Sequence, residues 1–337
     1  MTASDDRSPA ERRDRVASRA AGARQLQKRT GAAERAAALA EAARGGDRRA
    51  LARLLTEVEN RTAAGEAALR ELYAQAGRAH LVGITGAPGA GKSTLVAALV
   101  GEARRDGRPV AVLAVDPSSP ITGGAILGDR VRMQLHASDA DVFIRSMASR
   151  GHAGGLAGTT LGAAAVLDAC GFALIFIETV GTGQSEVEVA SVADTTVVVQ
   201  APEMGDEVQA IKAGLLEVAD IIAVNKGDRP GADRAARQLR AMLSTAGGRI
   251  ERTPPQVMVT TATTADGVAA LADAIDAHRF AAREPMAARD RAAHQVRRAL
   301  ADLAARRAEG DPAWEATVRA VADRDLDPVT AAERLLE

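Results

Sequence analysis

Aromatic side chains are nearly missing from this chain, which has one Trp, one Tyr and four Phe in 337 residues. A core built without rings has to come from Ala, Val, Leu and Ile, and an apolar content of 47% supplies enough of them. Cysteine occurs once, at Cys170. A lone thiol excludes a disulfide framework and a cysteine-based zinc site. Following an alanine-rich helical run, it reads as a small buried apolar side chain rather than a reactive one. The histidines at 80, 136, 152, 278 and 294 form no ligand spacing. Neither sign of charge dominates, with 43 Lys and Arg against 44 Asp and Glu, so the basic footprint of a nucleic-acid binder is missing. No apolar run is long and uncharged enough to span a bilayer, and the N-terminus lacks the apolar stretch of a secretion signal. Arg12, Arg13, Arg15, Arg19 and Arg24 would suit a transit peptide, but Asp5, Asp6, Glu11 and Asp14 run against it. The expectation is a cytoplasmic protein.

What is present begins with organisation. Residues 1–30 are charged, and composition leaves the first of them without a core to join. From Ala32 to about Ala76 alanine, leucine and charges recur without proline, with Leu51, Leu54, Leu55 and Val58 at helical spacing. Short apolar runs then alternate with helical segments. Strands are expected at Leu81–Thr85, Val110–Val115, Val142–Ile144, Leu174–Ile177, Thr195–Gln200, Ile221–Val224 and Val257–Val259. Helices are expected at Thr94–Arg105, Ala157–Ala169, Asp206–Glu217, Ala232–Ser244 and Val268–Ala277. That order predicts an α/β fold, a mainly parallel sheet flanked by helices on both faces. After Pro285 the strands stop, and Arg289–Arg307, Pro312–Ala322 and Pro328–Leu336 read as helices. Leu300, Leu303, Trp314, Val318 and Val321 would form their apolar sides, for self-association or for packing back on the body. The division expected is a helical extension over 1–78, a nucleotide domain over 79–282 and a helical tail over 283–337.

The stretch Gly86-Ala87-Pro88-Gly89-Ala90-Gly91-Lys92-Ser93-Thr94 follows the first strand. Its spacing is that of a P-loop. Glycines let successive N–H groups turn inward around a phosphate, and the helix that follows aims its positive end at the same anion. Lys92 would neutralise the β- and γ-phosphates, and the Ser93 hydroxyl would sit on Mg²⁺. A nucleoside triphosphate is the implied ligand.

Asn225-Lys226-Gly227-Asp228 follows a later strand. A carboxylate there can accept from guanine N1–H and from the 2-amino group, a donor pair that adenine lacks. Asn225 would brace the loop and the Lys226 stem would lie along the base. Thr261-Ala262, after the next strand, could offer a backbone N–H to the base oxygen. Between these anchors lie acidic, glycine-rich segments. Asp116 and Asp129 are candidates for the Mg²⁺ shell, since hard cations take oxygen ligands. Glu178 ends a strand facing the phosphate loop, Gly181 lets backbone approach a γ-phosphate, and Gln184 stands near a water-positioning place. Arg145 and Arg150 could pair with phosphate or with acidic residues.

Together the segments Gly86–Thr94, Val115–Pro120, Gly123–Arg130, Ile144–Gly155, Glu178–Glu186 and Ala219–Lys226 resemble the MeaB/ArgK-like family. These are GTPase chaperones of adenosylcobalamin-dependent acyl-CoA mutases, and they include the methylmalonic aciduria type A protein. The resemblance implies a P-loop NTPase fold of the SIMIBI type, GTP and GDP as ligands, Mg²⁺, and hydrolysis of GTP. It places Lys92 and Ser93 in the phosphate loop, Asp116, Asp129 and Glu178 around magnesium, and Asn225, Lys226 and Asp228 in the guanine loop. It implies a mobile relay at Pro202–Lys212, where the usual proline-glycine pair reads Pro202-Glu203. A homodimer through the helical tail, a mutase partner (methylmalonyl-CoA mutase by default) and an adenosyltransferase as a further partner also come from it. Asp276-Ala-His278 lacks the glycine of a cobalamin ligand loop, so no cobalamin site is expected. A small-molecule kinase, a nickel-insertion GTPase and a non-catalytic scaffold remain open as alternatives.

Overall fold

The computed structural model describes residues 31–117, 136, 138–149, 155–179, 189–202, 218–246, 254–282 and 285–337. Seven parallel strands form one sheet in the order β3-β2-β4-β1-β5-β6-β7. They are β1 (His80–Gly86), β2 (Val110–Pro117), β3 (Val142–Ser149), β4 (Leu174–Thr179), β5 (Thr195–Gln200), β6 (Ile221–Val224) and β7 (Gln256–Val259). Alternation along β2 shows how the layers arise. Val110 and Val112 point into one apolar cluster, while Ala111, Leu113 and Val115 point into the other. A strand buried on both faces has no polar side to display, which is why its sequence is a continuous apolar run.

One face is covered by α4 (Lys92–Arg105) and α7 (Val268–Ala282), whose Leu95, Leu99, Leu271 and Ile275 meet Val82, Ile84 and Phe176. The other is covered by α5 (Gly155–Ala169) with three N-terminal helices: α1 over residues 31–44, α2 (Arg48–Glu59) and α3 (Ala63–Tyr73). The N-terminal segment, expected to be helical, is thus three helices. Asp47 caps α2 by accepting from the Arg49 and Ala50 amides, and those two bonds hold its carboxyl below the usual range. Thr62 caps α3 through the Gly65 amide. Leu51, Leu54, Leu55 and Val58 are all buried in the apolar cluster that α2 shares with α3 and α5. Arg48 reaches the edge strand, donating to the carbonyls of Asp139, Ala140 and Val142, and Arg145 on β3 pairs with Glu59 at 2.5 Å. Arg48 thus occupies one carbonyl at the start of the edge strand, which leaves that group unavailable to a stray strand. On the same face as α5, toward the β6–β7 end of the sheet, α6 (Ala232–Ala246) packs Leu239 and Leu243 on Ile222 and Val257.

Cys170, at the end of α5, is half-buried, and desolvation pushes its thiol up to about 11. That is the inert environment expected of a packing cysteine. The expected helix Asp206–Glu217 lies outside the described residues. Among those described, no helix is long and apolar enough to cross a membrane.

Three helices follow the sheet: α8 (Pro285–Glu309), α9 (Trp314–Ala322) and α10 (Pro328–Leu336). Ion pairs tie α8 to the body. Arg61 holds Asp302 with contacts at 2.6 and 2.7 Å, and Arg306 reaches Glu66 at 3.5 Å. Trp314, Val318 and Val321 line an apolar groove against Ala308 and Leu335. Leu300 and Leu303, expected as an apolar side, are 61% and 56% exposed, and Val296 continues the stripe at 59%.

Candidate functional site

The site forms where the central strands end. β1 lies between β4 and β5, so Gly86, Glu178 and Gln200 come to one rim of the sheet, and Asn225 follows from β6 beside them. The crevice beyond the carboxyl ends of parallel strands, where the strand order reverses, is where an open α/β sheet accepts ligands.

The phosphate loop runs from Gly86 into α4. Gly91 is the N-cap of that helix, in a left-handed conformation with φ of 91°. A Cβ there would fall 2.4 Å from the Asn225 Nδ2, so only glycine lets the loop lie against the later strand. Ala90 is buried and Ala87 offers its carbonyl to the loop lysine. Lys92 is only 6% exposed, and its Nζ donates to the Gly86 and Ala87 carbonyls at 2.8 and 3.0 Å. The ammonium therefore curls over the mouth of its own loop, where an incoming phosphate would compete for it. Gly89 and Thr94 fall at the loop's bend and in the first turn of α4.

Ser93 Oγ donates to Glu178 Oε1 at 2.6 Å, and both side chains are buried, at 6% and 3% exposure. The two come from elements 85 residues apart in sequence. A hydroxyl and a carboxylate in contact beside the start of a helix are oxygen donors of the kind a hard divalent cation takes. Thr179, next to Glu178, donates to Thr85 at 3.2 Å and ties the ends of β4 and β1. Asp116 is on β2, paired with Ala148 of β3, and its side chain is outside the described residues. Asp129, Gly181, Gln184 and Arg150 lie outside them altogether. Arg145 turns away from the crevice, donating to the Ala52 carbonyl, Thr56 and Glu59. Its expected alternative pairing with phosphate is replaced by a structural one, because β3 is the edge strand and α2 covers it.

Asn225 joins the two halves of the site. Its Nδ2 donates to the carbonyls of Ala90 at 3.0 Å and Gly91 at 3.4 Å, and its Oδ1 accepts from Ala262 N at 3.1 Å and Thr260 Oγ1 at 3.3 Å. One buried amide thus fixes the phosphate loop, the loop after β6 and the turn after β7 relative to each other. Lys226 takes φ of 60°, the left-handed conformation that swings the next residues outward. Asp228 follows on the open side, exposed, with Thr261 and Ala262 in the neighbouring turn. Sequence spacing had no means to find the bridge from Asn225 to Ala262, because nothing local marks which strand ends touch.

The family model described as methylmalonyl Co-A mutase-associated GTPase MeaB matches residues 51–312. A relative from Pyrococcus horikoshii described as a GTPase is 46% identical over 306 residues, covering 89% of this chain and 96% of its own length. GTPase ArgK of Escherichia coli is 44% identical over 189 residues, covering 55% of this chain and 57% of its own. A crystal structure described as an LAO/AO transport system kinase superposes with a TM-score of 0.66 and 27% identity, covering 89% of this chain and 96% of that one.

Proposed function

The chain belongs to the MeaB family of methylmalonyl-CoA mutase-associated GTPases, and from that premise we propose that it is a GTP-driven chaperone of an adenosylcobalamin-dependent acyl-CoA mutase, methylmalonyl-CoA mutase before others. The observation that carries the reading is the junction at Asn225, which couples a phosphate loop to a base loop in one crevice. A nucleotide spanning that crevice would feel both ends at once.

In this reading the triphosphate displaces the Lys92 ammonium from the Gly86 and Ala87 carbonyls and takes its charge, while amides from Gly89 to Thr94 cradle the β-phosphate. Ser93, Glu178, Asp116 and Asp129 would hold Mg²⁺, which supplies neutralisation of phosphate charge when bound. Gly181 donates its N–H to the γ-phosphate, and water attacks in line. Asp228 accepts from N1–H and the 2-amino group of guanine, and the Lys226 stem covers the ring. The nucleotide state biases Pro202–Lys212 and, through it, a mutase between states that load and hold cofactor. We assign the chemistry to residues 79–282, self-association to 283–337, covering of the sheet to the extension before 79, and the cytoplasm as the compartment.

Calorimetry with Mg²⁺ tests the nucleotide step: GTP and GDP bind, and ATP binds at least about a hundredfold more weakly, because adenine leaves the carboxylate unpaired. Equal affinity for ATP would remove the base-recognition step. The kinase description of the superposable structure raises phosphoryl transfer to a small acceptor. Release of free phosphate without an added acceptor separates hydrolysis from that alternative.

The exposed stripe Val296, Leu300 and Leu303 supports a dimer through the tail. The double substitution Leu300→Asp with Leu303→Asp is expected to convert a dimer to a monomer in light scattering while the far-ultraviolet spectrum stays unchanged. A wild-type monomer at micromolar concentration would remove the self-association assignment.

A further inference from the structure

We propose that Thr264 and Asp266 are positioning residues for the nucleotide base: they lock the turn carrying Thr261 and Ala262 so that its amide meets the 6-oxo group of a purine. The proposal rests on the GTP reading above and names two side chains that this reading leaves without a role.

The turn between β7 and α7 closes on itself. Thr261 N donates to the Asp266 carbonyl at 2.8 Å, forming an isolated antiparallel bridge, and Thr264 N returns to the Thr261 carbonyl at 3.2 Å. Thr264 Oγ1 then donates to Asp266 Oδ2 at 2.6 Å, fastening the outer corner. Between them Ala265 takes φ of 64°, a left-handed conformation that a residue with a Cβ adopts at a cost. A strained residue held by three local bonds gives the turn one shape rather than several.

That shape is registered against the loop that carries Asp228. Gly227 N donates to the Thr260 carbonyl at 2.9 Å, and a Cβ on Gly227 would fall 2.7 Å from Val259 Cγ1 and 3.1 Å from Thr261 Oγ1. Ala262 N points at Asn225 Oδ1. A base oxygen arriving there shares this N–H in a three-centre bond. The reader of the 2-amino edge and the reader of the 6-oxo edge are therefore one rigid assembly. Thr264 and Asp266 are both exposed, so their bond adds little to the core and its consequence lies in the angle at which Ala262 is presented.

The test compares three nucleotides on wild type, Thr264→Val and Thr264→Ser. GTP and inosine triphosphate carry the 6-oxo group, and 2-aminopurine riboside triphosphate lacks it. For Thr264→Val, affinity falls about fivefold for the first two, the size of one modest hydrogen bond, and stays level for the third. Thr264→Ser keeps the hydroxyl and restores both. An equal loss for all three nucleotides, or a loss for none, overturns the proposal while leaving the GTP reading intact. A wild type that binds none of them overturns both.

Discussion

Replacing Lys92 by alanine lowers kcat for GTP hydrolysis by roughly a hundred- to a thousandfold, the usual cost of deleting one preorganised donor from a site where charge develops. Lys92 is 6% exposed and bonds two carbonyls of its own loop. Its ammonium is held without solvent to weaken it, so its pull on a phosphate oxygen is stronger than that of a surface lysine. The same geometry predicts a secondary loss in binding, since the Gly86 and Ala87 carbonyls would then face the phosphates with no cation between them. Lys92→Arg does not rescue, because a planar guanidinium needs more room than a buried loop mouth gives. Phosphate release under saturating GTP checks the rate, and urea unfolding checks that the loop still folds. Hydrolysis within a few-fold of wild type would mean that the loop around residue 90 does not hold the triphosphate.

The parts legible in the sequence are those whose cause is local. Thr195–Gln200, Ile221–Val224 and Pro328–Leu336 have the expected bounds, since a fully buried parallel strand or a proline-started helix announces its ends. β3 runs on from Ile144 to Ser149 although its sequence turns polar. Its extension is set by eight register positions against β2, which no reading of β3 alone reveals. The N-terminal helices were readable as helical but not as three. The breaks at Asp47 and Thr62 are capping residues inside a charge-rich background that hides them. In the site, Gly86–Thr94 and Asn225–Asp228 are contiguous motifs and therefore visible. The contact of Ser93 with Glu178 spans 85 residues, and that of Asn225 with Ala90 spans 135. Such contacts follow from strand order alone, and strand order is not written in any one segment. For Leu300 and Leu303, spacing gives an apolar side but not its partner, and in one copy of the chain that side is open.

Replacing Asp228 by asparagine inverts the base preference from guanine to xanthine. Guanine presents two donors, N1–H and the 2-amino group, and a carboxylate with two acceptor oxygens matches both. Asparagine keeps one acceptor and substitutes a donor for the other, so the 2-amino group meets an N–H. Xanthine carries a carbonyl at position 2, and the same N–H then has an acceptor. Loss of a hydrogen bond to a charged group, with a donor left facing a donor, lowers GTP affinity about a hundredfold. Xanthosine triphosphate gains what GTP loses in pattern but not the full strength, because the new bond is neutral. The loop itself should be undisturbed. Asp228 is exposed, and the shape around it depends on Asn225, on the left-handed Lys226 and on the contact of Gly227 with Val259. Competition of GTP and xanthosine triphosphate against a fluorescent guanine nucleotide on wild type and variant reads the swap directly. A variant that still prefers GTP would move base recognition away from residue 228, and the Asn225 junction would then serve the phosphate loop alone.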